Sequence, residues 1–163
     1  MTRLYGDKIV NAYIDGANLH KAVESNGQHL DYYRLRVWLS EKYNISKVFL
    51  FIGYIPKNYE LYFYLEKIGF ILIYKEVVID RAGKMKGNCD ADLVLRTVQD
   101  YFEDSFSKAI IISSDGDFSC LVRFLKDRSA FQVLISPNRS CSYLLKKLNI
   151  PIDYLANHPN LFF

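Results

Sequence analysis

Apolar positions along this chain fall into short β-branched runs that alternate with segments of helical period, and that alternation predicts most of its elements. Lys8 to Ile14 carries Ile9, Val10, Ala12 and Ile14 and stops at Asp15-Gly16, which reads as a strand ended by a turn. Asp31 precedes Tyr32 to Tyr43, where Leu35, Trp38 and Leu39 recur at helical spacing, and Ser46 to Ile55 is a second strand closed by Pro56. Asn58 to Ile68 is helical with Gly69 as its stop, and Phe70 to Ile79 is a third apolar run. Asp80 to Asn88, with Arg81, Gly83, Lys84, Lys86 and Gly87, reads as an exposed basic loop. Beyond it the pattern gives a helix over Asp90 to Phe102, a strand over Lys108 to Ser113 and a helix over Asp117 to Arg128. A strand over Phe131 to Ser136 and a helix over Ser140 to Leu148 follow.

Strands alternating with helices of ten or more residues predict a three-layer α/β architecture, a mainly parallel sheet with helices on both faces. The 163 residues carry no Gly/Ser linker, repeat or low-complexity tract, so residues 1–163 are expected to form a single domain. Half the residues are apolar and 24% are charged, a composition that builds a core and excludes a disordered tail. The net charge of +3 is too small to announce a nucleic-acid binder, so any electrostatic argument has to be local. Cys89, Cys120 and Cys141 form no Cys-x-x-Cys pair, which fits a reducing cytoplasm. The segment Met1 to Lys8 lacks the apolar stretch of a signal peptide, and no apolar run approaches the roughly 20 residues of a membrane span. A soluble cytoplasmic protein is expected. His20, His29 and His158 are scattered without metal-ligand spacing, which argues against zinc.

The chemistry lies in the acids. In open α/β sheets a ligand site forms beyond the carboxyl ends of the strands, and four aspartates are expected there. Asp15 follows the first strand, Asp115 and Asp117 follow the fourth, and Asp90 opens the helix after the basic loop. Each has a plain structural reading, as a turn residue or a helix cap; their joint placement is what argues for a site. At an effective dielectric of 20, two carboxylates about 5 Å apart repel by about 3 kcal/mol, so such a cluster requires protons or a cation. Oxygen donors without His or Cys favour Mg²⁺ or Mn²⁺. Helical spacing puts Asp90 on the inward stripe of Leu93, Val94, Thr97 and Tyr101, and puts Asp92 with Arg96, Gln99 and Glu103 on an exposed face, where Asp92 and Arg96 are expected to pair.

Three ordered segments carry a resemblance: Tyr13-Ile14-Asp15-Gly16-Ala17-Asn18-Leu19, Lys86-Gly87-Asn88-Cys89-Asp90-Ala91-Asp92-Leu93 and Ser114-Asp115-Gly116-Asp117-Phe118. From about Lys8 to Leu155 the chain resembles the NYN domains of the PIN-like nuclease superfamily, particularly their LabA-like group. The resemblance implies a PIN-like, Rossmann-like sheet and Asp15, Asp90, Asp115 and Asp117 as a metal-binding, catalytic set. It also implies Asn18 as a polar helper to that set, and cleavage of RNA, expected to be single-stranded. Two positions depart from the pattern: the family often has Gly where Ser114 stands and Asp where Arg96 stands. Lys84 and Lys86, with Arg81 on the same loop and Arg139 before the last helix, are candidates to bind RNA phosphates; a solvated loop is the alternative. Tyr59, Tyr62, Phe63 and Tyr64 offer base-stacking surface, core, or the face of a homodimer. Against the nuclease stands a non-catalytic RNA- or nucleotide-binding module on the same scaffold. A TOPRIM-like domain shares the Asp-x-Asp but wants a Glu after the first strand.

Overall fold

The computed structural model of the chain describes residues 8–86 and 88–163; residues 1–7 and Gly87 of the second motif lie outside them. A sheet of six strands runs in the order β3-β2-β1-β6-β7-β8, with every neighbouring pair parallel. Its strands are β1 (Val10–Asp15), β2 (Ile45–Tyr54), β3 (Phe70–Glu76), β6 (Lys108–Ile112), β7 (Phe131–Ser136) and β8 (Ile152–Tyr154). The chain lays β1, β2 and β3 outward in one direction, then returns to place β6 on the other side of β1. Sheet order therefore reverses between β1 and β6, and a crevice opens at their carboxyl ends.

Side chains alternate across the sheet and divide the core in two. Ile14, Leu50 and Ile110 pack on one face with Leu19 of α1 (Gly16–Ser25), Leu35 and Leu39 of α2 (Tyr32–Tyr43) and Leu65 of α3 (Tyr59–Lys67). Tyr13, Phe49 and Ile111 pack on the other with Leu93 of α4 (Asp90–Phe102), Leu121 and Leu125 of α5 (Ser119–Asp127) and Leu145 of α6 (Tyr143–Lys146). Every residue of β1 is buried, as a central strand covered on both faces requires. The three-layer parallel architecture is the one expected from the sequence.

Five local features differ from the sequence reading. Asp15-Gly16 is not a turn: α1 begins at Gly16, and the Asp15 carboxylate caps it by accepting the backbone N–H of Asn18 at 3.2 Å. The basic loop is a short antiparallel hairpin of β4 (Val78–Ile79) and β5 (Met85–Lys86), turned by Asp80, whose carboxylate accepts from the backbone N–H groups of Ala82 and Lys84. The last helix contracts to Tyr143–Lys146, and β8 was not anticipated because its three residues follow Pro151 without a periodic run. Asp92 and Arg96 do not pair. Asp92 meets Lys75 of β3 at 3.4 Å, and the Nε of Arg96 donates to Asp100 at 3.0 Å while its guanidinium lies over the Phe49 ring.

Asp100 is 4% exposed and also accepts the Tyr13 hydroxyl at 2.7 Å, tying α4 to β1 beneath the crevice. Burial and this carboxylate hold the Tyr13 phenol far above its ordinary range, so it stays a donor. Arg96 is thus neutralised within its own helix. Replacing Tyr13 with Phe leaves one oxygen of a buried carboxylate without its donor; we expect a loss of about 1–3 kcal/mol in urea denaturation with no change in slope.

Candidate metal centre

Asp15, at the end of β1, Asp115, after β6, and Asp90, the first residue of α4, come together in the crevice. One carboxylate oxygen of each lies within 4.8 Å of the others. Asp15 is buried and the other two are half-buried. Among the described residues, no lysine, arginine or histidine forms an ion pair with any of the three.

Hydroxyls and amides brace the acids instead. The Ser113 Oγ donates to Asp15 at 3.1 Å and accepts the backbone N–H of Asp115 at 3.1 Å, so one buried side chain sets the spacing of two carboxylates. Asn18 accepts both the backbone N–H of Ser114, at 2.9 Å, and its hydroxyl, at 3.0 Å. It touches no carboxylate through its side chain in these bonds and acts by stitching α1 to the end of β6. The Ser114 side chain supplies the second of those bonds. Asn88 receives the Asp90 backbone N–H at 2.7 Å and donates to the Asp90 carboxylate at 3.2 Å. Ser113 and Asn88 were not singled out from the sequence; their roles depend on main-chain geometry that periodicity does not report.

Gly116 is required by close approach, since a Cβ there would run into the Ser142 hydroxyl and Leu144 at the start of α6. Asp117 follows in the short helical turn Gly116–Phe118; its backbone N–H donates to Asp115 at 2.9 Å, yet it is exposed and stands outside the group of three. Lys84, Lys86 and Arg81 are exposed on the β4–β5 hairpin, and Lys86 leans toward Asp80 at 3.9 Å. Arg139 is exposed on the loop after β7, at the same sheet edge. Of the α3 aromatics, Tyr62 is buried, whereas Tyr59, Phe63 and Tyr64 face outward.

Burial, reinforced by the charges of Asp90 and Asp115, pushes the Asp15 carboxyl up to about 6. Burial first, then the charges of Asp115 and Asp117, raise Asp90 as well. Both directions are those of buried carboxylates crowded together, with Lys75 opposing the rise only in part at Asp90. The nearby Cys89 thiol is pushed up to about 11 by burial and by Asp92, so it is no thiolate at neutral pH. The donor set is therefore oxygen only, which suits a hard divalent cation.

None of the described helices is long and apolar enough to cross a membrane. Nothing among curated proteins matches the chain. A crystal structure of a protein of unknown function from Vibrio parahaemolyticus is similar to it, with a TM-score of 0.76 at 19% identity over 99% of this chain and 100% of that one. At that identity the likeness speaks for the fold. The model of the NYN domain family matches residues 10–148, taking in the acidic crevice and both sheet halves around it. The chain belongs to the NYN domain family.

Proposed function

We propose that this protein, as a member of the LabA-like group, is a metal-dependent endoribonuclease in which Asp15, Asp90 and Asp115 hold Mg²⁺ or Mn²⁺. The observation that carries the reading is the convergence of three carboxylates at the switch point of the sheet, none of them in an ion pair among the described residues. When bound, such a cation supplies Lewis-acid stabilisation to the phosphoryl oxygens of a phosphodiester and makes nucleophilic water available near neutral pH. The chain's own residues fix where that happens. Asp15 is held by the Asn18 N–H and Ser113 Oγ, Asp90 by Asn88, and Asp115 by the loop that Ser113 and Asn18 brace.

The test is cleavage of a labelled single-stranded RNA by the purified chain in Mn²⁺ or Mg²⁺, stopped by EDTA. Asp90→Asn is expected to lose most of the rate, while Asp92→Asn, whose carboxylate turns to Lys75, keeps it. Activity that survives EDTA, or equal losses in the two variants at equal stability, contradicts the assignment. A non-catalytic module would bind RNA and cut none.

Lys84 and Lys86 project from the hairpin that leads into Asp90. If each meets a phosphate, neutralising both lowers the slope of log K against log salt by about 1.4 for a single strand. An unchanged slope leaves them as solvated side chains.

A further inference from the structure

Lys75 is the next-to-last residue of β3, on the carboxyl edge of the sheet where Asp15 and Asp115 also lie. Its register partner on β2 is Gly53, so β2 sets no side chain between the lysine and the first turn of α4. There the ammonium meets Asp92 at 3.4 Å, with 43% of the lysine side chain and 47% of the aspartate side chain exposed. A pair so exposed holds weakly and exchanges readily. The Asp92 Oδ2 that faces the ammonium accepts no hydrogen bond among the described residues, which leaves the three N–H donors of Lys75 for another acceptor. The lysine charge also reaches the acidic group. The Asp90 carboxyl, raised by burial and by Asp115 and Asp117, is drawn partly back down by Lys75, and so is the Cys89 thiol beside it.

We propose that Lys75 leaves Asp92 to bind the phosphate that enters the acidic crevice, as the cation that balances its charge beside the metal. The inference rests on the metal-centre reading above. Three ionised carboxylates around one divalent cation keep a net negative charge, and a phosphodiester brings another, so the loaded centre repels its own substrate unless a further cation stands by. Lys75 is placed to supply it, because its charge is already felt at Asp90. Lys84 and Lys86 lie on the hairpin, where Lys86 leans toward Asp80. An ammonium on a flexible stem is a compact point charge, able to follow a phosphate oxygen as it moves. Negative charge spreads over the non-bridging oxygens as a phosphoryl group is transferred, so the contact is strongest where the rate is decided. In the nuclease reading Lys75 is therefore a catalytic residue. Asp92 holds the ammonium only while no phosphate is present, and its removal leaves the lysine charge in place.

The experiment compares the parent chain with Lys75→Met and Lys75→Arg in three readouts. These are Mn²⁺ binding by calorimetry, binding of uridine 5′-monophosphate in saturating Mn²⁺ as the phosphate probe, and single-turnover cleavage of labelled single-stranded RNA. Lys75→Met keeps the stem and loses the charge. It is expected to bind Mn²⁺ about threefold tighter, because a cation beside Asp90 is gone. It binds the nucleotide about tenfold more weakly, for one lost charge-assisted hydrogen bond, and cuts about a hundredfold more slowly. Lys75→Arg keeps the parent's Mn²⁺ affinity and recovers the rate to within about tenfold of the parent. Opposite changes in Mn²⁺ affinity and cleavage mark a contact with substrate, since damage to the fold lowers both. Nucleotide affinity and cleavage unchanged in Lys75→Met overturn the inference and return the lysine to a surface pair with Asp92. Weaker Mn²⁺ binding in Lys75→Met overturns it too, by making the lysine a structural support of the acids. No Mn²⁺ binding by the parent strikes the metal-centre reading and the inference with it. A parent that binds Mn²⁺ and the nucleotide through Lys75 but cuts no RNA supports the inference and strikes the nuclease reading alone.

Discussion

Asp15→Asn is expected to melt higher than the parent chain at pH 7.5 and to cut RNA about a hundredfold or more slowly in Mn²⁺. Both effects have one cause. Folding buries this carboxyl and sets Asp90 and Asp115 beside it, so the folded state holds its proton up to about pH 6, against 3.8 for the ordinary group. The folded protein then binds more protons than the unfolded chain between about pH 4 and 6, and linkage makes stability fall as pH rises through that window. A shift of about two units corresponds to a loss of about 3 kcal/mol, which has not begun below pH 4 and is complete above pH 6. Asparagine keeps the cap on α1 without the charge and removes this loss. For a chain of this length the gain in melting temperature is roughly 6–12 °C at pH 7.5 and shrinks toward zero near pH 4. Mn²⁺ stabilises the parent by binding only its folded form and leaves the variant nearly unmoved. The loss of rate follows from removing one ligand charge, since a cation at such a centre lowers the barrier by several kcal/mol and each 1.36 is tenfold. Thermal melts across pH, with and without Mn²⁺, check the first part and single-turnover cleavage the second. A variant that melts lower than the parent at pH 7.5 would sink the account.

Gly16→Ala is the variant expected to do most damage to the fold. A methyl group there lies 2.5 Å from the Phe51 carbonyl oxygen and 2.6 Å from Ile52 Cγ2. Phe51 is the register partner of Asp15, so the clash is with backbone that the sheet itself fixes and that no rotamer change relieves. Overpacking of this kind costs about 3 kcal/mol or more. The strain falls on the junction of β1 and α1 that aims the Asp15 carboxylate. Urea denaturation measures the loss; a midpoint within error of the parent would show that β1 and β2 separate more easily than their packing implies.

That junction also shows where reading the sequence stops short. Asp-Gly after an apolar strand is a turn signal in most contexts, and here it marks a strand passing directly into a helix, with glycine chosen for proximity to β2 and not for a positive φ. The layers, the parallel sheet and the inward face of Asp90 were legible because apolar periodicity records which way a residue points. Leu93 and Thr97, on the same stripe as Asp90, are buried as that period requires. Partners across elements were not legible. Arg96 sits at the right spacing from both Asp92 and Asp100, and the choice between them is made by Lys75 of β3 and Tyr13 of β1, far away in the chain. Ser113 belongs to the same class: its bond to Asp15 depends on which strands the topology sets side by side.

The position of β1 between β2 and β6 has a kinetic consequence. Ser113 and Asp15, which it bonds, are 98 residues apart. A ribosome adding about 5–20 residues per second needs roughly 5–20 s to supply Ser113 after Asp15. Once β2 has been made it can pair with β1, but until β6 follows, the other edge of β1 has no strand to receive. The three carboxylates meet only when β6 has docked, because Asp115 follows that strand. A nascent chain of this protein therefore carries an exposed strand edge before it carries an acidic centre.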